Sequence, residues 1–197
     1  MKIRIYLVVL LGMLGSGCVP MSFVAVVPGT VTVGDLNVTV STTWNAAPAI
    51  ILPNTRKGAQ VWTQDGLLLD RISIIPAVPE GESIFVSRDK SIALPTFKSD
   101  MLPNELEEFV ESSFVKFFGE GNAVVNTSGL RPHQFGEYRG VLFDFEASLT
   151  DSPDYRGMVG AFIANDLLYV ISYSAAEPYY YGKHVDEAKM IIETASL

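Results

Sequence analysis

The stretch Val141-Leu142-Phe143-Asp144-Phe145-Glu146-Ala147-Ser148-Leu149 alternates apolar and polar side chains along most of its length. Successive side chains of a β-strand point to opposite faces. One face of this strand is therefore apolar, and the other carries Asp144, Glu146 and Ser148. A sheet with one buried and one wetted face is typical of antiparallel pairing. The stretch therefore predicts an antiparallel sheet.

Two more strands and a helix are predicted after this stretch. Tyr155–Ala164 predicts a return strand and Leu167–Ser174 the last strand. Asn165-Asp166, between them, is typical of a two-residue hairpin turn. A closing helix is expected from Pro178 to about Ala195. Its inward-facing residues are predicted to be Val185, Ala188, Ile192 and Ala195.

Before this stretch, Asn104–Phe118 predicts the clearest helix in the chain. Asn104 and Glu107 have the spacing of a capping box, and Gly119 is placed to end the helix. The apolar stripe, which we expect to pack on the sheet, consists of Leu106, Phe109, Val110, Phe114 and Phe117.

The N-terminal half is predicted to add strands to the same sheet. Val31–Val40 predicts one strand with a bend or bulge at Gly34-Asp35. Gln60–Thr63 and Leu67–Ile74 predict a hairpin around Asp65-Gly66, two residues suited to a type I′ turn. Trp44 is expected to lie in the core.

The order of these elements predicts an α+β domain. With shorter strands over Ser83–Ser87 and from Ala123, we expect an antiparallel sheet of about six to seven strands. One helix is inserted mid-chain and one C-terminal helix packs on the sheet. No internal break or repeat is evident, so residues 30–197 are predicted to form a single α+β domain.

The first 18 residues predict export and membrane attachment. Lys2 and Arg4 precede an apolar run over Ile5–Leu14, which suits a signal-peptide core and is too short for a spanning helix. Gly15-Ser16-Gly17-Cys18 follows, and the order resembles the lipobox of bacterial lipoproteins, although Gly15 stands where leucine is usual. The resemblance implies a signal peptide over residues 1–17, acyl chains on Cys18 and a lipidated tether over residues 18–29. The alternative is an ordinary cleaved secretory signal.

Cys18 is the only cysteine, so no intrachain disulfide can form. Val19, and not Asp, follows it. By resemblance to enterobacterial lipoproteins, this implies the outer membrane, facing the periplasm, in preference to the inner membrane or secretion. Two or three acyl chains anchor a protein stably, which makes the membrane itself a predicted partner.

The charge balance excludes one class of partner. The chain carries 14 Lys and Arg against 22 Asp and Glu, and without residues 1–17 the formal charge is −10. A nucleic-acid partner would need a basic face, and so would electrostatic docking to anionic lipid.

A second resemblance concerns the domain. It is carried by Leu94-Pro95-Thr96-Phe97 before the mid-chain helix, the strand over Phe143–Leu149, the strand over Leu167–Ile171 and the terminal helix. This layout resembles the Mog1/PsbP-like fold, including its bacterial DcrB-like lipoprotein members. The resemblance implies a binding or accessory module, and it names no ligand because one fold hosts many functions.

Ser113-Phe114-Val115-Lys116 matches the Ser-x-x-Lys pair of penicillin-binding proteins. The serine of that family opens a helix, whereas Ser113 lies late in its predicted helix and no Lys-Thr-Gly is present. We interpret Ser113 as a helix residue.

The acidic and histidine residues predict no further chemistry. His133 and His184 are the only histidines and have no ligand-type neighbour at fixed spacing. A wetted strand face and Asx-type turn chemistry account for the acids, which are Asp144, Glu146, Asp151 and Asp154. We therefore assign no catalytic residue, no metal site and no cofactor.

Tyr179, Tyr180 and Tyr181 form the one cluster that we consider as a candidate partner contact. Three consecutive side chains cannot all face the core from one helix, and tyrosine is favoured at interfaces. The interpretation that we favour is that they anchor the start of the helix by packing under the last loop, and a partner contact is the alternative.

These observations favour a membrane-anchored, non-enzymatic envelope lipoprotein that binds another protein or a small ligand. One alternative is an envelope hydrolase that uses the acidic residues or Ser113. Another is a structural accessory subunit of an envelope complex.

Overall fold

The computed structural model describes residues 22–119 and 121–197, so the predicted signal peptide and Cys18 lie outside the described residues. The described residues form ten strands, two α-helices and a short 3-10 helix over Ala49–Ile51. The strands are β1 (Val24–Val26), β2 (Gly29–Val33), β3 (Leu36–Val40), β4 (Trp44–Ala46), β5 (Gln60–Thr63), β6 (Asp70–Pro79), β7 (Ala123–Phe135), β8 (Tyr138–Leu149), β9 (Tyr155–Ala164) and β10 (Leu167–Ala176). The helices are α1 (Pro103–Phe118) and α2 (Tyr180–Glu193).

Eight strands form one antiparallel sheet in the order β1-β4-β5-β6-β10-β9-β8-β7. Strands β2 and β3 pair only with each other. The α+β class with one mid-chain and one C-terminal helix is confirmed, and the predicted six to seven strands are corrected to eight. The prediction fell short because β1 and β4 have three residues each, too few to show a period of two.

The predicted bent strand over Val31–Val40 is wrong. The segment is a separate hairpin, β2 and β3, with Gly34 at a φ of 66° in its turn. A glycine adopts this left-handed conformation without the steric cost of a side chain. Within the stretch that was predicted as a tether, Val24–Val26 forms β1 and Gly29 begins β2.

The hairpin of β5 and β6 is confirmed, but the predicted turn at Asp65-Gly66 is wrong. Strand β5 ends at Thr63 and β6 begins at Asp70, so a longer loop joins them. The buried Asp70 carboxylate accepts hydrogen bonds from the backbone N–H groups of Gln64 and Asp65 at 2.9 and 2.7 Å, and this holds the longer loop. Residues 83–87 form no strand, only a bridge between Thr55 and Phe85.

The turn at Asn165-Asp166 is confirmed, with φ values of 51° and 61°. Helix α1 begins one residue earlier than predicted, and Glu105, not Glu107, closes its cap by accepting from the Leu102 N–H at 2.8 Å. Neither helix in residues 22–119 and 121–197 is long and apolar enough to cross a membrane.

The two faces of the sheet bury separate cores. On the α2 side, the hairpin β2–β3 and helix α2, which contributes Ile192, pack over buried sheet side chains that include Trp44, Trp62, Ile72, Phe135, Phe162 and Tyr169. On the α1 side, Phe109 and Phe114 of helix α1 and Phe97 of the segment before it pack on Phe143, Phe145, Val159 and Val170 of the sheet. Strand β8 keeps the predicted buried and exposed faces, with Glu146 and Ser148 exposed, whereas β9 and β10 at the centre of the sheet are buried on both faces.

Candidate functional site

Four polar residues lie together on the α1 side, where the sheet is otherwise apolar. Arg71 and Ser73 belong to β6, and they pair directly with Ser174 and Ser172 of β10. Residues two apart on a strand share a face, so the four side chains form a rectangle. Ser172 and Ser174 are each 7% exposed. A buried polar group of this kind calls for a partner.

Aromatic side chains cover this rectangle. The Arg71 Cζ atom lies 5.4 Å from the ring centroid of Phe117 and 5.8 Å from that of Phe118, both at the end of α1. Phe85 stacks against Phe117 at 4.4 Å between centroids. The guanidinium group therefore makes cation–π contacts with these two rings at the end of α1.

Arg71 has little polar compensation for this position. Its Nε–H donates to Ser174 Oγ at 3.4 Å, a long hydrogen bond. Among the described residues, no Asp or Glu forms an ion pair with Arg71. Burial lowers the pKa of Arg71, and the nearby Tyr155 partly opposes that shift. An arginine stays charged nonetheless, since its ordinary pKa lies far above neutrality.

Two cavities meet at Arg71, and we call them together the Arg71 pocket. The larger has a volume of about 260 Å³ and the smaller about 30 Å³. They share Arg71, Ser73, Phe85 and Phe117. The larger is lined mostly by apolar side chains, and the smaller also includes Ser172 and Ser174. The only charged residue that lines either cavity, among the described residues, is Arg71.

The loop between β5 and β6 forms one wall of the pocket through Leu67 and Leu68. The Asp70 carboxylate holds the base of this loop, and the Tyr155 hydroxyl donates to the Leu68 carbonyl at 2.7 Å. These contacts fix the wall from the sheet.

Helix α2 holds the same loop from the other side. Lys183 Nζ lies 2.6 and 2.8 Å from the two Asp65 carboxylate oxygens, and His184 Nε2 lies 2.7 Å from Oδ2. The hydrogen bond from Lys183 is the main cause that lowers the pKa of Asp65, and burial partly opposes it. The same bond raises the pKa of Lys183.

The three predicted tyrosines lie in different environments. Tyr179 is 66% exposed, whereas Tyr180 and Tyr181 are half-buried. Tyr181 lies under the Arg156 guanidinium at 4.8 Å, and the Tyr173 hydroxyl donates to the backbone carbonyls of Tyr180 and Tyr181. Tyr180 and Tyr181 therefore anchor α2, and Tyr179 alone is presented to solvent. Cys18, the predicted lipid attachment point, lies outside the described residues.

The residues of the hydrolase alternative are not brought together. Ser113 is 2% exposed and its hydroxyl donates to the Phe109 carbonyl at 2.7 Å, so it is not presented as a nucleophile. Asp144 pairs with Arg131 at 3.1 Å. His133 Nε2 lies 3.0 Å from the Glu193 carbonyl. Within residues 22–119 and 121–197, no group of three or more His, Cys, Asp or Glu side chains is placed to hold a metal ion.

The Arg71 pocket was not predicted from the sequence. One signal was available: Arg71 and Ser73 alternate with Ile72 and Ile74, and Ser172 and Ser174 repeat the pattern in the last strand. That alternation predicts a polar strand face and does not reveal that α1 covers it.

The chain matches no protein-family model and no curated protein. Among solved structures it is similar to the solution structure of cyanobacterial PsbP (CyanoP) from Synechocystis sp. PCC 6803, with a TM-score of 0.56 over 93% of this chain and 98% of that chain. The two sequences are 12% identical, so the likeness concerns the fold alone. The fold of this chain is therefore PsbP-like, as the second resemblance implied.

Proposed function

We propose that this protein is a membrane-anchored envelope lipoprotein whose domain is a non-enzymatic accessory module that binds a small apolar ligand in the Arg71 pocket. The observation that carries the proposal is the pocket itself. Ligand sites are concave and mostly apolar, with a few polar groups that fix orientation. The larger cavity has that character, with Arg71 and Ser73 among apolar neighbours.

The lining of the pocket supports binding without catalysis. Neither cavity is lined by a described His, Asp, Glu, Lys or Cys. Ser73 and Ser172 therefore have no adjacent base to activate a hydroxyl as a nucleophile.

A photoactivatable octanol with a diazirine on its chain tests the pocket. Full-length protein in phosphatidylcholine vesicles should be labelled saturably on peptides that contain Phe85 and Phe117. Ala59→Phe, which adds a ring to the pocket lining, should abolish that labelling. Val124→Phe is the matched control, because Val124 is 61% exposed and lines neither cavity. Labelling that does not saturate, or that Ala59→Phe leaves unchanged, would contradict the proposed function.

The anchor is tested separately through Cys18. Cys18→Ser should block incorporation of labelled palmitate and release the protein from the membrane fraction. Two or three acyl chains are needed for stable attachment, so their loss should be sufficient for release. Unchanged membrane retention would refute the anchor, and fractionation of inner and outer membranes tests the proposed outer-membrane location.

Tyr179 favours a second role, contact with an envelope protein. It is 66% exposed while its two neighbours are half-buried, and exposed tyrosine is enriched at interfaces. A photo-crosslinking amino acid at position 179 should yield one discrete adduct in native membranes, whereas the same group at position 124 should not. Identical adducts from both positions, or none from 179, would end this candidate role.

A further inference from the structure

The Arg71 pocket holds a positive charge that the protein does not balance. Arg71 is only partly exposed, and a charge that is partly removed from water without an ionic partner is unfavourable. The two cation–π contacts with phenylalanine rings offset only part of that cost. The one side-chain hydrogen bond of Arg71, at 3.4 Å, adds little. A ligand with a negative charge would supply the missing partner.

The serines favour an oxyanion. Neither Ser73 nor Ser172 forms a side-chain hydrogen bond with another described residue, and the two face each other across β6 and β10. Each hydroxyl can donate one hydrogen bond, and a guanidinium presents a planar fork that suits a carboxylate. The smaller cavity, lined by Arg71 and the three serines, has about 30 Å³. That volume holds about one water-sized group, so it suits an oxygen atom of a small anionic headgroup.

The larger cavity limits the size and the polarity of the rest of the ligand. Its 260 Å³ corresponds to about nine water-sized groups at ~30 Å³ each, and its lining is mostly apolar. A chain of six to ten carbons or a single aromatic ring is of that size. Since Arg71 is the only charged residue described in either lining, a ligand with several phosphate groups would lack partners.

We propose that the ligand is a small apolar carboxylic acid, with its carboxylate on Arg71, Ser73 and Ser172 and its apolar body between Leu67, Phe85 and Phe117. This inference rests on the proposed function, because it names the chemical class that the pocket takes. Arg71 supplies the charge, and the two hydroxyls orient the oxygens.

Matched probes test this class directly. Octanoic acid and octanol, each with the same diazirine on the chain, are titrated at pH 7.5 against full-length protein in the same vesicles. A hydrogen bond to a charged group contributes about 1.5–3 kcal/mol. For each protein we compare the concentrations of alcohol and acid that give half-maximal labelling at Phe85 and Phe117. The alcohol-to-acid ratio should therefore be about 10- to 100-fold larger in the wild type than in Arg71→Met.

Two further variants serve as controls for this experiment. Arg156→Met removes an arginine with a similar cation–π contact outside the pocket and should keep the wild-type ratio. Ser172→Ala should lower the preference for the acid about two- to tenfold, and it serves if Arg71→Met does not fold. All proteins are measured in the same vesicles, so partitioning of the probes into lipid cancels.

The outcomes separate this inference from the proposed function. Both probes could label the pocket saturably with an alcohol-to-acid ratio that neither Arg71→Met nor Ser172→Ala changes. That result would overturn the proposal of a carboxylate ligand, and the proposed binding of an apolar ligand would stand. Inorganic phosphate and unlabelled octanoate are also compared as competitors of the acid probe. If phosphate displaces the probe as effectively as octanoate does, the pocket recognises the anion alone, and the proposal of an apolar carboxylic acid is overturned. No labelling of the pocket by either probe would overturn both proposals.

Discussion

On the α2 side of the sheet, large aromatic side chains stack on one another, whereas on the α1 side a charged residue and a cavity interrupt the apolar packing. Phe162 stacks on Phe135 and Tyr169 at 4.7 and 5.0 Å between centroids. The Tyr169 hydroxyl donates to Asp35 at 2.6 Å, and burial is the main cause that raises the pKa of Tyr169. Trp44 Nε1 is the one buried side-chain polar atom without a partner among the described residues.

The α1 side places a charged residue and three serines against phenylalanine rings and leaves a cavity beside them. Protein interiors are normally close-packed, and buried polar groups are normally paired. The buried residues of helix α1 end at Phe114, and beyond them Phe117 and Phe118 lie over Arg71. The contrast teaches that the α2 side holds the fold together, while the α1 side gives up packing where a ligand could bind.

The largest expected effect is the loss of packing on the α2 side. Phe162→Ala should lower the free energy of unfolding by about 3–5 kcal/mol, because it removes a fully buried ring from a stack. Urea unfolding of full-length protein measures the change. Tyr179→Ala, at an exposed position of the same side, should stay within about 0.5 kcal/mol. A loss below about 1 kcal/mol for Phe162→Ala would remove the contrast between the two sides.

Arg71→Met should act in the opposite direction. It removes a charge that lacks an ionic partner, so the free energy of unfolding should rise by about 0.5–2 kcal/mol. The same substitution at Arg156 removes an exposed cation–π contact with Tyr181 and should lower that free energy by about 0.5–1 kcal/mol. Chemical unfolding without added ligand compares the signs. A loss of more than about 2 kcal/mol in Arg71→Met would mean that Arg71 is a structural residue.

The smallest expected effect concerns the clamp between α2 and the pocket wall. The folded-state pKa of Asp65 lies below its ordinary 3.8, so its ionised form stabilises the fold. That stabilisation is present above pH 3.8 and is lost as the pH falls through the folded pKa. Asp65→Asn should therefore lower the free energy of unfolding by at most about 1 kcal/mol at pH 7, given its solvent screening. As the pH falls below the folded-state pKa of Asp65, the free energies of unfolding of the variant and the wild type should converge; a difference that grows on acidification would contradict this prediction.

Much of the architecture is local and could be predicted from the sequence. The alternation in residues 141–149, the turn at Asn165-Asp166 and the apolar stripe of α1 each contain their own signal. The edge strands could not be predicted, because three-residue segments take their structure from the neighbour they pair with. The turn at Asp65-Gly66 was wrong because a distant carboxylate, Asp70, competes for the backbone N–H groups of the loop.

The site depends on contacts that are remote in the sequence. Arg71 and Ser174 are 103 residues apart, and Phe117 comes from an element between them. The polar alternation in each strand indicated a solvated face, and only the tertiary packing of α1 turns that face into a pocket. The exposure of at least one of the three tyrosines was predictable, because consecutive side chains diverge around a helix, whereas the burial of Tyr181 under Arg156 was not.

The central claim is that Arg71 is kept without an ionic partner to receive a carboxylate, and the ¹⁵N–¹H signal of its Nε tests this most directly. Full-length protein in phosphatidylcholine nanodiscs provides the signal, which Arg71→Met identifies by its disappearance. Titration with octanoate should move this signal saturably, because the Nε–H now bonded to Ser174 Oγ at 3.4 Å would gain a charged acceptor. Octanol should leave it in place. An Arg71 signal that octanoate does not move, at concentrations that saturate labelling of the pocket, would contradict the claim.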